Sequence, residues 1–513
     1  MITLSFYLIL TVIVLGGLSY ILPVEVPGIH GSASFDRSHL SSDNTGLIVD
    51  GERSIPLKKS FEHALILAPT GSGKTTRYII PNVLRCAGSM IVTDPKGEVH
   101  QLTKTSLERR GYTVKALDFS NPKHSIRYNP IKRANTRAEI RELAVGLYNL
   151  TNKGTSEGAI WKQGAVRLYT VLIEALKNAP ANAQVATMSS LLRLLTHLED
   201  GTTTARDFIM KYADAHGQAL FQTYNNAEAK IKSGQYNSAH AALANWDTDE
   251  LQQITNKDDI DFKQFRQEKT ALFLILPPGT TDRFSPLIAL LYKQLFYHFL
   301  TTPLQKDDLP VFFLADEFGN TPRIHDFDKS ITLLRSQKVS ISIILQSLSQ
   351  LDEKYGKFTT ETILGNAATF LCYSGLRSDR DLKFVSSLLG TKTVESHAPG
   401  SFVQYYSRPL MTPQEIRCLP DEQGLLVLGN RPVKKIFPVP IFKNITLLEQ
   451  HGLQSVDGKL VPVDQDSSTE ETLDLTQAPR PLLPVTLETT TNEHLDRFRQ
   501  QINNLFPQQN SNS

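Results

Sequence analysis

The sequence predicts an α/β fold, a parallel sheet flanked by helices and broken once by an all-α insertion. Two observations carry that prediction. Short apolar runs bounded by turn residues alternate with amphipathic stretches over two long tracts of the 513-residue chain, the pattern of buried strands joined by helical crossovers. Between those tracts, residues 185–262 switch to Leu-, Ala- and Gln-rich helical spacing, as in MSSLLRLLTHLED and SAHAALANWDTDELQQI, without a strand signal. The composition, 40% hydrophobic and 21% charged, is that of a globular chain, long enough for roughly two to four domains.

The first element is Met1–Leu22, which contains no charged residue. As a helix it would run about 33 Å, enough to cross the hydrocarbon core of a bilayer. A cleaved signal peptide would need a basic start, and the first Lys or Arg is Arg37. The expectation is a retained, single-pass membrane anchor. Arg37, Arg53, Lys58 and Lys59 follow it, which places the bulk of the chain in the cytosol.

Residues 23–46, rich in Pro, Gly, Ser and Asp, read as a linker. The first half of the α/β domain, 47–184, offers the strands HALILAP, SMIVTDP and YTVKALDF, with helices from Lys74 and over Val99–Arg110. The second half, 263–447, offers KTALFLILPP, PVFFLADEF, VSISIILQS, ATFLCYSG and GLLVLGN. Residues 448–513 turn polar, as in DQDSSTEETLDLTQAPRP, too poor in apolar surface to fold alone. Near the end, Leu495, Phe498, Ile502, Leu505 and Phe506 share one helical face, which reads either as a bundle edge or as a partner-binding helix.

A net charge of +2 does not advertise nucleic-acid binding, so any such contact must come from local basic loops. Cys86, Cys372 and Cys418 are too few and too scattered for a disulfide framework or a zinc site, which fits a reducing compartment.

The chemistry-bearing motif is APTGSGKT, residues 68–75, placed between an apolar strand and a helix. This is a phosphate-binding Walker A loop with Ala68 where a glycine usually stands. In such a turn the backbone N–H groups of Thr70, Gly71, Ser72, Gly73, Lys74, Thr75 and Thr76 converge on phosphates, the glycines allowing close approach. Lys74 adds positive charge and Thr75 a hydroxyl for Mg²⁺. The acidic partner is in VFFLADEF: Asp316 would hold the metal, and Glu317 would orient or deprotonate an attacking water. The expected ligands are therefore ATP and Mg²⁺. NKDD at 256–259 and DEFG at 316–319 stand in the reverse of the GTPase order, and no LSGGQ-like string supports a transporter ATPase.

APTGSGKT, TDPKGEVHQLT at 93–103, LADEFGN at 314–320, ILQSLSQL at 344–351 and LLGTKTV at 388–394 together resemble the type IV secretion coupling proteins. These are the TraG/TraD-type conjugative ATPases of the FtsK/HerA branch. The resemblance spans roughly residues 40–445. It implies a RecA-like P-loop NTPase domain with an all-α insertion domain, preceded by one N-terminal transmembrane helix in the bacterial cytoplasmic membrane, and a homo-hexameric ring. The implied task is to hand a relaxase–DNA or protein substrate to a type IV secretion channel. It also implies that Gln346 senses the γ-phosphate and that Arg335 is an arginine finger reaching a neighbouring subunit's ATP; read from the residues alone, Arg335 is a helix C-terminal cation. Asp94 and Lys96 match a family motif without an assigned chemistry. Many relatives carry two membrane segments, where one is expected here.

A ring motor would grip single-stranded DNA without sequence preference through basic pore loops. The candidates are Lys132, Arg133, Arg137 and Arg141, and Arg377, Arg380 and Lys383; such runs also serve as solvated helix faces. Two other functions fit parts of the pattern: an FtsK-like chromosome translocase, and a substrate receptor that binds ATP structurally.

Overall fold

The structure, a computed structural model, describes residues 28–463 apart from 37, 39, 41–44, 151–158, 181–185, 200–202, 278, 322, 397–403 and 457–458. The expected anchor at 1–22, residues 23–27, 37, 39 and 41–44 of the linker, and the polar tail beyond residue 463 with its Leu495–Phe506 stripe lie outside the described residues. No helix among the described residues is long and apolar enough to cross a membrane.

Every strand expected from the sequence forms. In chain order they are β1 (Ala64–Leu67), β2 (Ser89–Thr93), β3 (Thr113–Asp118), β4 (Thr270–Ile275), β5 (Val311–Ala315), β6 (Val339–Leu345), β7 (Thr369–Tyr373) and, after a hairpin of β8 (Thr391–Ser396) and β9 (Gln404–Pro409), β10 (Gly424–Leu428). With β11 (Lys434–Ile436) they build one nine-stranded sheet, ordered β11-β10-β7-β1-β6-β5-β2-β4-β3. From β7 to β3 all neighbours run parallel. The expectation of a parallel sheet needs one correction: β10 runs antiparallel to β7, and β11 antiparallel to β10. An apolar run such as GLLVL encodes burial but not direction. A small hairpin of β12 (Leu453–Val456) and β13 (Lys459–Pro462) stands apart.

The central strands bury every residue, because helices cover both faces. Alternate side chains feed two cores. Ala64, Ile66, Met90, Val92, Phe312 and Ile344 meet α1 (Ile80–Arg85) and α2 (Glu98–Arg109) on one face. Leu65, Leu67, Ile91, Phe313 and Ile341 face the other core.

Between β3 and β4 the chain is helical: α3 (Arg137–Asn149), α4 (Ala159–Asn178), α5 (Met188–Glu199), α6 (Thr203–Tyr212), α7 (Ala215–Asn225), α8 (Ala229–Leu243) and α9 (Asp249–Thr255). This helical run starts upstream of residue 185. Its axis is α4, whose Leu168, Tyr169, Val171, Leu172, Ile173 and Leu176 are all buried, as a helix apolar on several sides must be. A capping box sets the start of α3: Thr136 accepts from the Glu139 N–H, and the Glu139 carboxylate accepts from the Thr136 N–H. After β4 come α10 (Thr281–Thr301), α11 (Phe327–Leu334), α12 (Ser349–Tyr355) and α13 (Asp379–Leu389).

Candidate functional site

In an open parallel sheet, ligands bind outside the carboxyl ends of the strands. There the turns after β1, β5, β6 and β7 gather most of the expected residues, although hundreds of positions separate them in sequence.

The turn after β1 begins with Ala68, whose N–H donates to the Leu345 carbonyl at 2.9 Å and so extends the ladder. Ala68 is absent from the left-handed residues, so a glycine has no conformational work to do there. Gly71 and Gly73 do need their freedom, at φ 83° and 77°. The helix that follows opens as a π-turn, Thr75–Ile79, a form that recurs at functional sites. Thr76 donates its hydroxyl to the Gly73 carbonyl at 3.2 Å. The Ser72 hydroxyl is buried without a partner among the described residues. A buried hydroxyl is ordinarily paired, and a ligand oxygen is one acceptor that would pair it.

Lys74 reaches across to the turn after β5. Its ammonium lies 3.3 Å from Asp316 Oδ1 and 3.2 Å from Glu317 Oε1. Burial raises the Asp316 pKa; Lys74 opposes that shift and Glu317 adds to it. Glu317 sits in the left-handed region, φ 51°, uncommon for a residue with a side chain. Its N–H donates to Asp316 Oδ1 at 2.9 Å, and Asn320 donates to its Oε2 at 3.0 Å. Both oxygens of the Glu317 carboxylate are thereby held.

Two residues overlooked in the sequence reading tie this turn to the one after β6. Gln350 on α12 accepts from the N–H groups of Gln346, at 3.0 Å, and Ser347, at 3.4 Å. It also packs so tightly on Gly319 that a Cβ there would fall 2.4 Å from Gln350 Cδ. Lys354, one turn on, donates to the carbonyls of Phe318, Gly319 and Thr321. Their spacing, i and i+4 on one helix face just after the expected sensor, was the available signal.

Asp94, at the end of β2, is 2% exposed and accepts from the His100 N–H at 2.8 Å. Burial pushes its pKa up to about 6, and the nearby Asp316 charge adds to the shift. Lys96 points outward, 3.9 Å from Glu98.

Arg335 is not brought to this edge. It follows α11 and precedes β6, at the amino edge of the sheet, where its guanidinium pairs with Glu62 at 2.7 Å. The length of β1 separates it from its own phosphate loop. Among the candidate DNA contacts, Arg133 pairs with Asp258 at 2.7 Å, Arg137 with Asp214, Arg380 with Asp352 at 2.6 Å and Lys383 with Asp379 at 3.3 Å. Lys132 and Arg141 are exposed. Arg377 lines a cleft of about 650 Å³ together with Thr70, Gly71, Ser72, Arg77 and Gln346.

A family model described as type IV secretory system conjugative DNA transfer matches residues 38–457. Protein VirD4 of Rhizobium radiobacter is 25% identical over 409 residues, covering 75% of this chain and 58% of that protein. Conjugal transfer protein TraG of Escherichia coli is 24% identical over 398 residues, covering 70% and 62%. The chain thus spans about three-fifths of the length of these curated relatives. The unbound bacterial conjugative coupling protein TrwBΔN70 superposes with a TM-score of 0.64 at 20% identity, over 80% of this chain and 97% of that one. TrwB in complex with ADP and Mg²⁺ gives 0.63 at 20% identity, over the same shares. The likeness establishes the fold: an α/β, RecA-type domain with a helical insertion.

Proposed function

The chain belongs to the type IV secretory system conjugative DNA transfer family, and from that membership we propose that it is a membrane-anchored coupling ATPase. Its task is to pass a relaxase–DNA or protein substrate to a secretion channel. The observation that carries the nucleotide part is the meeting of Lys74 with Asp316 and Glu317 across the carboxyl edge. The unpartnered Ser72 hydroxyl and the left-handed Gly71 and Gly73 suit a phosphate chain. That TrwB has been solved with a non-hydrolysable ATP analogue and with ADP and Mg²⁺ points to the same ligands.

In this reading the N–H groups of residues 70–76 cradle the phosphates, and Lys74 balances their charge. Thr75 and Asp316 hold Mg²⁺. Bound MgATP supplies the phosphoanhydride bond and the metal that spreads charge in the transition state. Glu317, fixed by Lys74 and Asn320, takes a proton from the attacking water. Gln346 reads the terminal phosphate from the end of β6.

Arg335 acts in trans. Its place at the amino edge suits a head-to-tail ring, in which one subunit presents that edge to the next subunit's site. Six subunits closing such a ring would work single-stranded DNA through basic pore loops.

The test is plasmid transfer from donor cells carrying Lys74→Ala or Glu317→Gln, with ATP hydrolysis by the full-length chain measured with and without single-stranded DNA. Transfer should be abolished with the protein still folded. Near-normal transfer by either variant overturns the motor reading. Intact ATP binding without DNA-stimulated hydrolysis would favour a structural-ATP receptor.

A further inference from the structure

The loop GLRSDRDLK, residues 375–383, sets three cations, Arg377, Arg380 and Lys383, among two carboxylates, Asp379 and Asp381. In the fold its cations divide. Arg380 is engaged by Asp352 at 2.6 Å, and Lys383 by Asp379 at 3.3 Å. Arg377 is exposed and makes no hydrogen bond or ion pair with any described residue. It lines the cleft that Pro69, Thr70, Gly71 and Ser72 of the Walker A turn also line.

The loop that carries Arg377 is fixed on both sides. Leu376, just before it, is 1% exposed. Gly375, at φ 90°, lies against the phosphate loop itself, its would-be Cβ 4.0 Å from Pro69 Cγ. On the far side, buried Asp381 accepts from the Leu348 N–H at 2.9 Å, and Arg380 is clamped to α12 through Asp352. With the backbone so fixed, only the Arg377 side chain has to be ordered when a ligand binds, and a charge-assisted contact can offset that cost.

The other cations near the phosphate loop have partners within the fold. The Lys74 ammonium touches two carboxylates. Arg77 donates to the carbonyls of Ser72, at 3.0 Å, and Asp421, at 3.1 Å, pinning the 420–423 loop to the turn. A polyanion entering the cleft therefore finds in Arg377 the guanidinium with its donors unspent.

We propose that Arg377 binds the phosphate chain of the nucleotide held by its own subunit's Walker A turn, rather than DNA. The proposal rests on the nucleotide reading above and extends it to a residue on β7's carboxyl-end loop. Arg377 and Arg335 then serve phosphates from opposite edges of the sheet, one in cis and the other in trans.

The test is calorimetric titration of the full-length chain with ADPNP and with ADP, as wild type, R377A, R377K and K74A, alongside single-stranded DNA binding by each. R377A should raise the ADPNP dissociation constant about tenfold or more. R377K should recover part of the loss, and DNA binding without nucleotide should stay at the wild-type level. Arg377 is exposed, so loss of fold is not expected, and circular dichroism checks it. An unchanged ADPNP constant in R377A, while K74A weakens binding, overturns this assignment and leaves the nucleotide reading standing. Weaker DNA binding at an unchanged nucleotide constant overturns it in favour of a DNA contact. A wild-type chain that binds neither nucleotide overturns both.

Discussion

The Lys74 ammonium lies 3.2 Å from the Glu317 carboxylate, although 243 positions separate the two residues. Only β6 stands between the strands that deliver them, β1 and β5. The contact is a product of sheet order, and sheet order is the part of the fold that no local sequence pattern writes down.

That contact separates two variants. Lys74→Ala removes the cation shared by Asp316 and Glu317 and should weaken ATP binding by about tenfold or more, the value of a charge-assisted bond to phosphate. Glu317→Gln keeps the shape and an acceptor for Lys74 but cannot take a proton. It should bind ATP near normally while hydrolysis falls by about 10²–10⁴. Equilibrium binding of ADPNP and steady-state phosphate release distinguish the two.

Gly73→Ala tests the turn itself. A side chain at φ 77° is strained, and the added Cβ would sit 3.3 Å from Arg77 Nε. The cost should be about 1–2 kcal/mol locally. It should appear as weaker nucleotide binding with an unchanged circular dichroism spectrum, because the turn is at the surface and no core packing depends on it.

His63 should make stability pH-dependent. Buried beside β1, it donates from Nε2 to the Ile331 carbonyl at 2.7 Å and accepts at Nδ1 from the Ile341 N–H at 3.1 Å, an arrangement available only to the neutral ring. Burial lowers its pKa from 6.5 to about 4. The unfolded chain therefore takes up the proton first, so the His63 contribution is intact above about 6.5 and is lost as pH falls toward about 4. At about 1.4 kcal/mol per pH unit the loss reaches about 3 kcal/mol. Asp94 and Asp258, both raised to about 6 by burial, tilt stability the other way, so the measurement is a difference. The denaturation midpoint of the wild type should fall more steeply across this window than that of His63→Asn, a residue that tolerates the φ of 58° found here.

Strand existence was legible because the buried runs are mostly apolar, ALIL and VFFLA throughout and VSISIIL broken only by Ser340 and Ser342, and a strand covered on both faces has to read that way. Direction was not: GLLVL at β10 looks no different from the parallel strands. The hairpin of β8 and β9 went unnoticed because its residues are largely half-exposed or exposed, leaving no apolar alternation to detect. The Walker A turn and the acidic pair were readable as local strings. Arg377 was not, because a basic loop says nothing of which cations will find carboxylates, and that pairing singled it out. The long-range link through Gln350 and Lys354 was invisible for a related reason: a lysine on a short helix ordinarily marks solvent.

Lys354 supplies the last prediction. Its ammonium is largely buried, and burial draws its pKa down to about 8, so it remains charged at neutral pH while donating to the carbonyls of the turn that follows Glu317. A left-handed Glu317 stores strain, and such a conformation persists only where its surroundings over-determine it. Lys354→Met keeps the bulk of the stem and deletes the three donors. The turn should relax, Glu317 should leave its place beside Lys74, and hydrolysis should fall about tenfold or more, since small misplacements of a catalytic group are costly. ATP binding should hardly change, because no atom of Lys354 borders the phosphate cleft. If binding and turnover fell together, Lys354 would be supporting the whole edge of the sheet; a loss confined to turnover identifies it as the residue that positions Glu317.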